Sequence, residues 1–288
     1  MIKQALASLF AAGLTAGASA AGAAVLVTFP DFTGACAGPD LTCVGSTATV
    51  GPVLRVTPAA TGQSGAAYGT TPVSLGVGST FSTAFQFRFT AAGGIDPADG
   101  ITFVLAADPT GLGVGGGGIG YQGVPNSVAI EFDTFNNGEV GASNHVGVDT
   151  GGVLANNGVS PYGRSACDFG GGTSHLDDGC MSNGHVWTVT INYDGALLDV
   201  FLQDSALAQQ HIIDDLAIDI GGQLGTTTAF VGFTSGTGSG FAHHDILNWR
   251  FADSAVLPPV GRVPEPATLA LLGLGLAGIG FAGRRRIS

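Results

Sequence analysis

The chain has 288 residues, 49 of them glycine, with 45% hydrophobic residues, 10% charged residues and a formal net charge of −12. An acidic excess of this size repels phosphate backbones, which argues against a nucleic-acid partner, and it suits cation binding. No long segment keeps a helical apolar period, so a helical bundle is excluded and a β-rich domain is expected.

In chain order, residues 1–23 read as an export signal. Lys3 supplies the positive start, ALASLFAAGLTAGA the short apolar run and ASAAGA the small residues a signal peptidase accepts. Export places the four cysteines, Cys36, Cys43, Cys167 and Cys180, in an oxidising compartment. Their spacing favours two local bridges, Cys36–Cys43 and Cys167–Cys180, among three formal pairings. A zinc site is the alternative, and it lacks any C-x-x-C pair.

Residues 24–255 form one domain of short alternating runs separated by Gly, Pro, Asn and Asp. VLRVTP, FSTAFQFRFT, GITFVLAAD, SVAIEFDTF, HVGVD, TAFVGFTS and HDILNWRF all read as strands. Two more flank Asp194-Gly195 in HVWTVTINYDGALLDVFLQD, a hairpin signal. AQQHIIDDLAIDI reads as a short helix or a loop. Many strands at even spacing indicate a sandwich or barrel. Gly115, Gly117 and Gly120 match G-x-G-x-x-G, but Pro125 and a strand follow where a phosphate site needs a helix. What remains is a loop bare enough to approach another surface closely.

In VAIEFDTFNNGEVGASNHVGVD, Glu131 and Asp133 fall on one face of a strand, roughly 7 Å apart, opposite Val128, Ile130 and Phe132. Asn137, Glu139 and His145 follow. Three readings present themselves: a solvated strand face, a glycosidase pair, or ligands for hard cations. The glycosidase pattern E-x-D-x-x-E fails at its third position, which is Asn136, because an amide cannot cycle a proton. The oxygen donors suit Ca²⁺, and an imidazole among them suits a transition ion such as Mn²⁺.

VAIEFDTFNN…NHVGVDTGG resembles the metal-binding strand and loop of the legume-type (L-type) lectins. The likeness extends through GAAYGTTPVSL, FSTAFQFRFT, ADGITFVLAAD, GGGGIGY, HVWTVTINYDG and VGFTSGTG…HHDILNWRF. The resemblance implies an all-β, concanavalin-like jelly-roll sandwich that binds carbohydrate without catalysis. It implies Glu131 on the transition ion and Asp133 bridging that ion and Ca²⁺. It further implies Ca²⁺ contacts from the Asn137 oxygen and the Phe135 carbonyl, with His145 completing the transition-ion shell. The family's second bridging Asp is absent, and Glu139 is the nearest carboxylate. For the sugar, the resemblance implies Asp99 after a cis Ala98-Asp99 bond, the Gly117 N–H, the Asn137 amide and Phe135 under the ring. A variable contact would come from the Thr237–Ser239 loop, with Ser239 as the candidate. The same likeness places His243, His244 and Asp245 at the start of a closing strand as structural polar groups. Trp187 and Trp249 read as core, and His175, Asp177 and Asp178 as a solvated loop.

At the C-terminal end, residues 256–266 form a Pro-rich spacer and residues 267–288 an apolar run closed by Arg284, Arg285 and Arg286. The run is a little short of the ~20 residues a spanning helix usually needs. A plain membrane anchor is one reading. Pro-Glu-Pro, apolar helix and basic tail in that order resemble the PEP-CTERM sorting signal. That resemblance implies a transient membrane anchor, an exosortase-type processing enzyme as partner, and release to the envelope or an exopolysaccharide matrix. Homo-oligomerisation is left open by the sequence. So are two other functions: a glycoside hydrolase on the same fold, and a matrix protein without sugar affinity.

Overall fold

The computed structural model describes residues 24–76, 78–138, 143–161 and 176–257, with side chains described in all of these except 156–161. The signal segment, Glu139, Cys167, His175, the PEP motif and the C-terminal apolar run therefore lie outside the described residues. No helix among the described residues is long and apolar enough to cross a membrane.

Two antiparallel sheets face each other. The back sheet contains β1 (Val25–Phe29), β3 (Ala48–Val50), β4 (Val53–Thr57), β7 (Phe81–Gly94), β12 (Trp187–Tyr193), β13 (Leu197–Asp204), β14 (Gln210–Ala217) and β16 (Gly240–Ala252). Its order is β14-β13-β12-β7-β16-β4-β3, with β1 also on β16. The front sheet contains β2 (Leu41–Gly45), β5 (Ser64–Gly69), β6 (Val73–Ser74), β8 (Gly100–Ala106), β9 (Ser127–Asp133), β10 (His145–Thr150), β11 (Val153–Pro161) and β15 (Thr228–Gly236). Its order is β11-β10-β9-β8-β15-β5-β2, with β6 also on β15. One short helix, α1 (Ile220–Leu224), starts from Asp219, whose carboxylate accepts the Gly222 N–H.

The alternation read from the sequence decides which face each residue takes. Val128, Ile130 and Phe132 of β9 point inward with Phe85, Phe87, Phe103, Phe233, Trp187 and Trp249, all essentially inaccessible. Phe132 packs edge-on to Phe85, with centroids 5.8 Å apart and planes at 88°. Each such ring contributes on the order of 2–3 kcal/mol by burial. Ala129 sits on the opposite face in a second apolar cluster with Val104, Tyr68, Tyr121 and Val124. Glycine-rich connections thus cover the outer face of the front sheet, and that cover creates a buried environment for the rest of that face.

One expectation is corrected. The 210–217 segment is strand β14, not a helix or loop, and the helix begins only at Ile220. The Asp194-Gly195 hairpin is present, with Tyr193 opposite Leu198. Cys36–Cys43 is a disulfide. Cys180 is also disulfide-bonded, and its expected partner Cys167 is outside the described residues. Leading and closing strands meet, since β1 pairs with β16 and the Asp253 N–H donates to the Ala24 carbonyl.

Candidate metal and ligand site

The site is built at one end of β8, β9 and β10. Antiparallel register sets Asp133 opposite both Gly100 and His145, and Glu131 opposite Thr102 and Gly147. Glu131, Asp133 and His145 are 1%, 2% and 0% exposed. One ligating atom from each lies within 4.8 Å of the others. His145 Nε2 is 3.0 Å from Glu131 Oε1, and the Phe135 N–H donates to Asp133 Oδ1 at 2.6 Å.

Two ionised carboxylates beside one imidazole would carry net negative charge whichever form the ring takes. Burying uncompensated charge costs several kcal/mol, and the usual remedy is a counter-charge. The donor set of two carboxylates and one imidazole is the chemistry of a divalent cation site, and the residues fit one. Glu139 is outside the described residues. The two residues just before His145 are engaged elsewhere: Ser143 Oγ accepts the Asn136 N–H and Asn144 is bonded to Gly179 and Met181.

Asp99 stands beside this triad. The Ala98-Asp99 peptide bond is cis. The Asp99 N–H donates to the Gly236 carbonyl at 3.2 Å, and the Asp99 carbonyl accepts the N–H and hydroxyl of Thr134 at 2.8 and 3.0 Å. Asp99 is thus strapped between the ends of β15 and β9. Gly100, at φ 147°, takes a backbone shape closed to L side chains, and a Cβ there would fall inside the Phe132 carbonyl oxygen. Beneath it, Ser235 Oγ donates to the Gly100 carbonyl at 2.7 Å and joins Thr57 Oγ1 and His244 Nδ1 in a buried network. Burial pushes the His244 pKa down to about 3, so its ring is neutral. His243 accepts the Ala59 N–H, and Asp245 is forked onto Arg55 at 2.8 and 2.9 Å. All three residues therefore serve the fold, as the resemblance implied.

Asn137 closes the other side. Its Nδ2 donates to Asp99 Oδ1 at 3.4 Å and to the Phe135 carbonyl at 3.3 Å. Gly117 explains how it fits, because a Cβ on Gly117 would lie 2.5 Å from the Asn137 amide carbon and nitrogen. Gly116 N–H donates to the Thr237 carbonyl at 3.1 Å, tying the glycine loop to the 237–239 loop. Of that loop, Gly238 is the residue facing Asp99, with its open Cβ position 3.5 Å from Asp99 Oδ2. Ser239 is exposed and its carbonyl accepts the Ile95 N–H at 3.3 Å. Asn136 caps its own turn, accepting the Gly138 N–H at 2.7 Å.

Asp99, Gly117, Phe135, Asn137, Glu131, Asp133 and His145 are thereby brought to one place by four stretches of chain: the start of β8, the glycine loop, residues 131–137 and the start of β10. Asp177 and Asp178 are exposed. Sequence reading missed Asn144 and Thr134, and within the Thr237–Ser239 loop it chose Ser239 where Gly238 faces Asp99. Only Asn144 carried a signal, being a residue type that tolerates positive φ beside a candidate ligand.

Comparison with known proteins places the family and the fold. The legume lectin domain profile matches residues 26–264, and the PEP-CTERM protein-sorting motif matches 262–286. An L-type lectin-domain containing receptor kinase (I.1) of Arabidopsis thaliana is 30% identical over 239 residues, covering 74% of this chain. This chain spans 34% of that kinase's length. A lectin of Lens culinaris subsp. tomentosus is 27% identical over 212 residues, covering 69% of this chain and 72% of the lectin. Among solved structures, basic winged bean lectin with Tn-antigen superposes with a TM-score of 0.61 at 25% identity, covering 75% and 92% of the two chains. The metal-free form of lectin I-B4 from Griffonia simplicifolia superposes with a TM-score of 0.65 at 24% identity, covering 78% and 97%.

Proposed function

Because this chain belongs to the legume lectin family, whose domain binds carbohydrate without catalysis, we propose that it is an exported lectin that grips a saccharide over a cation-ordered site. The observation that carries this reading is the meeting of Asp99 and Asn137, 3.4 Å apart, above the buried Glu131/Asp133/His145 triad.

Asp99 offers a buried carboxylate to sugar hydroxyls, and hydrogen bonds to a charged acceptor are the strong kind. Asn137 offers its amide beside it, the bare Gly117 backbone lets the ligand come close, and Phe135 supplies an apolar surface for a ring face. Glu131, Asp133 and His145 would hold a transition ion such as Mn²⁺. Asp133, the Phe135 carbonyl and the Asn137 oxygen would hold Ca²⁺. A bound divalent ion supplies positive charge that offsets the buried carboxylates. The chain's own residues do the recognition. Asp99 is held by Thr134 and Gly236, so it meets the ligand in one pose and little ordering entropy is spent on binding.

The sorting motif supports export, transient anchoring, processing by an exosortase-type enzyme, and a saccharide ligand in an exopolysaccharide matrix or envelope. A glycan array with and without chelator tests the whole reading. Saccharide signal that appears with Ca²⁺ and vanishes with chelator is the expected result. No signal from a folded, calcium-supplied domain would leave a matrix protein without sugar affinity.

A further inference from the structure

His145 opens β10, and the residue before it is Asn144, 2% exposed and in the left-handed region at φ 66°. Asn is among the few side chains that take this conformation readily. Its amide is used at both ends. Oδ1 accepts the Met181 N–H at 2.7 Å, and Nδ2 donates to the Gly179 carbonyl at 2.8 Å. This two-point clasp joins the start of β10 to residues 179–181, where Cys180 is disulfide-bonded and Met181 enters the main core.

That segment is in turn held from the other sheet. Asp204, the last residue of β13, is fully buried. Its Oδ2 accepts the Gly179 N–H at 2.9 Å and Asn183 Nδ2 at 2.7 Å. Its Oδ1 accepts the Ala206 N–H at 2.9 Å and lies 2.7 Å from His185 Nδ1. Asp178, His185 and Asp204 have the spacing of a cation site. Four donors already fill the Asp204 oxygens, however, so this carboxylate is an anchor. A continuous strut results: Asp204 in the back sheet, the 179–181 segment, Asn144, then His145 in the front sheet.

We propose that Asn144 and Asp204 are positioning residues, fixing the His145 imidazole against Glu131 and so setting the cation affinity of the site. This rests on the cation-ordered reading given above. Neither residue is a member of the Glu131/Asp133/His145 triad. Both act through His145, as outer partners of metal ligands do when they fix ring orientation.

The test uses the exported protein, its Asn144→Gly, Asn144→Asp and Asp204→Asn variants, and Mn²⁺ and Ca²⁺ as probes. Asn144→Gly keeps the positive φ and deletes both side-chain hydrogen bonds, while Asn144→Asp keeps the acceptor for Met181. Calorimetric titration should show cation affinity falling about 10- to 100-fold in Asn144→Gly and less in Asn144→Asp. Melting in chelator and in saturating cation separates positioning from plain stability. A structural role would lower both midpoints together, whereas positioning narrows the gap between them. Asn144→Gly with wild-type cation affinity, or an unchanged gap, overturns the proposal alone. A wild-type protein with no cation affinity overturns the proposed function as well.

Discussion

Glu131, Asp133 and His145 stand on paired strands, whereas Asp99, Gly117 and Asn137 stand on the connections between strands. The first group is placed by pleat and register: once β9 turns Phe132 into the core, its neighbours must face outward, and His145 must oppose Asp133. The second group is placed by what is missing, a Cβ at Gly100 and Gly117, and by single hydrogen bonds between loops. The strand group is therefore robust in position and narrow in chemistry. Under the proposed function, changes in the loop group would alter ligand preference with less disturbance of the fold.

Breaking the strand group should cost most. Asp133→Ala is expected to remove cation and saccharide binding together, beyond the roughly 100-fold lost when only a supporting partner goes. Calorimetry with Mn²⁺, then with a saccharide found on the array, reads both. The loop group should fail separately. In Gly117→Ala the new methyl must displace the Asn137 amide, and saccharide affinity should fall roughly 10- to 100-fold, or about 1.4–2.8 kcal/mol. Mn²⁺ affinity of the triad should change far less, and equal losses of both would erase the distinction.

Acid gives a smaller, graded effect. Burial alone would raise the Asp204 pKa, but the Ala206 and Gly179 N–H groups, His185 and Asn183 together hold it below its ordinary 3.8. Its stabilisation is then present above that value and is lost as pH falls through the lowered one. Unfolding midpoints should be nearly level from neutral pH to about 4 and drop below it, with a shallower acid limb in Asp204→Asn. Least of all should the site feel Cys36→Ser/Cys43→Ser. Opening that short loop should cost about 2–3 kcal/mol of stability, with saccharide affinity unchanged.

The strand group was legible because alternation is a local property of sequence: VAIEFD shows which residues share a face before anything is folded. Asp99, Gly117 and Asn137 are far apart in the chain, and only the family's motif order joined them. β14 was missed because HIIDDLA breaks the period of two. The structure shows the reason, two irregularities in its pairing with β13 and Asp215 at φ 51°. Of the Asn144–Asp204 strut only Asn144 carried a local signal, because the partners that join its side chain to residues 179–181 are a carbonyl and an N–H that sequence does not distinguish.

The pairing of β1 with β16 has a practical corollary. Val25 lies opposite Ala252, so the chain enters and leaves the sandwich at neighbouring points. Residues 24 and 253 are adjacent, joined by the hydrogen bond from the Asp253 N–H to the Ala24 carbonyl. A short peptide ligating the two ends would close the polypeptide into a ring, which makes the domain a natural candidate for circular permutation.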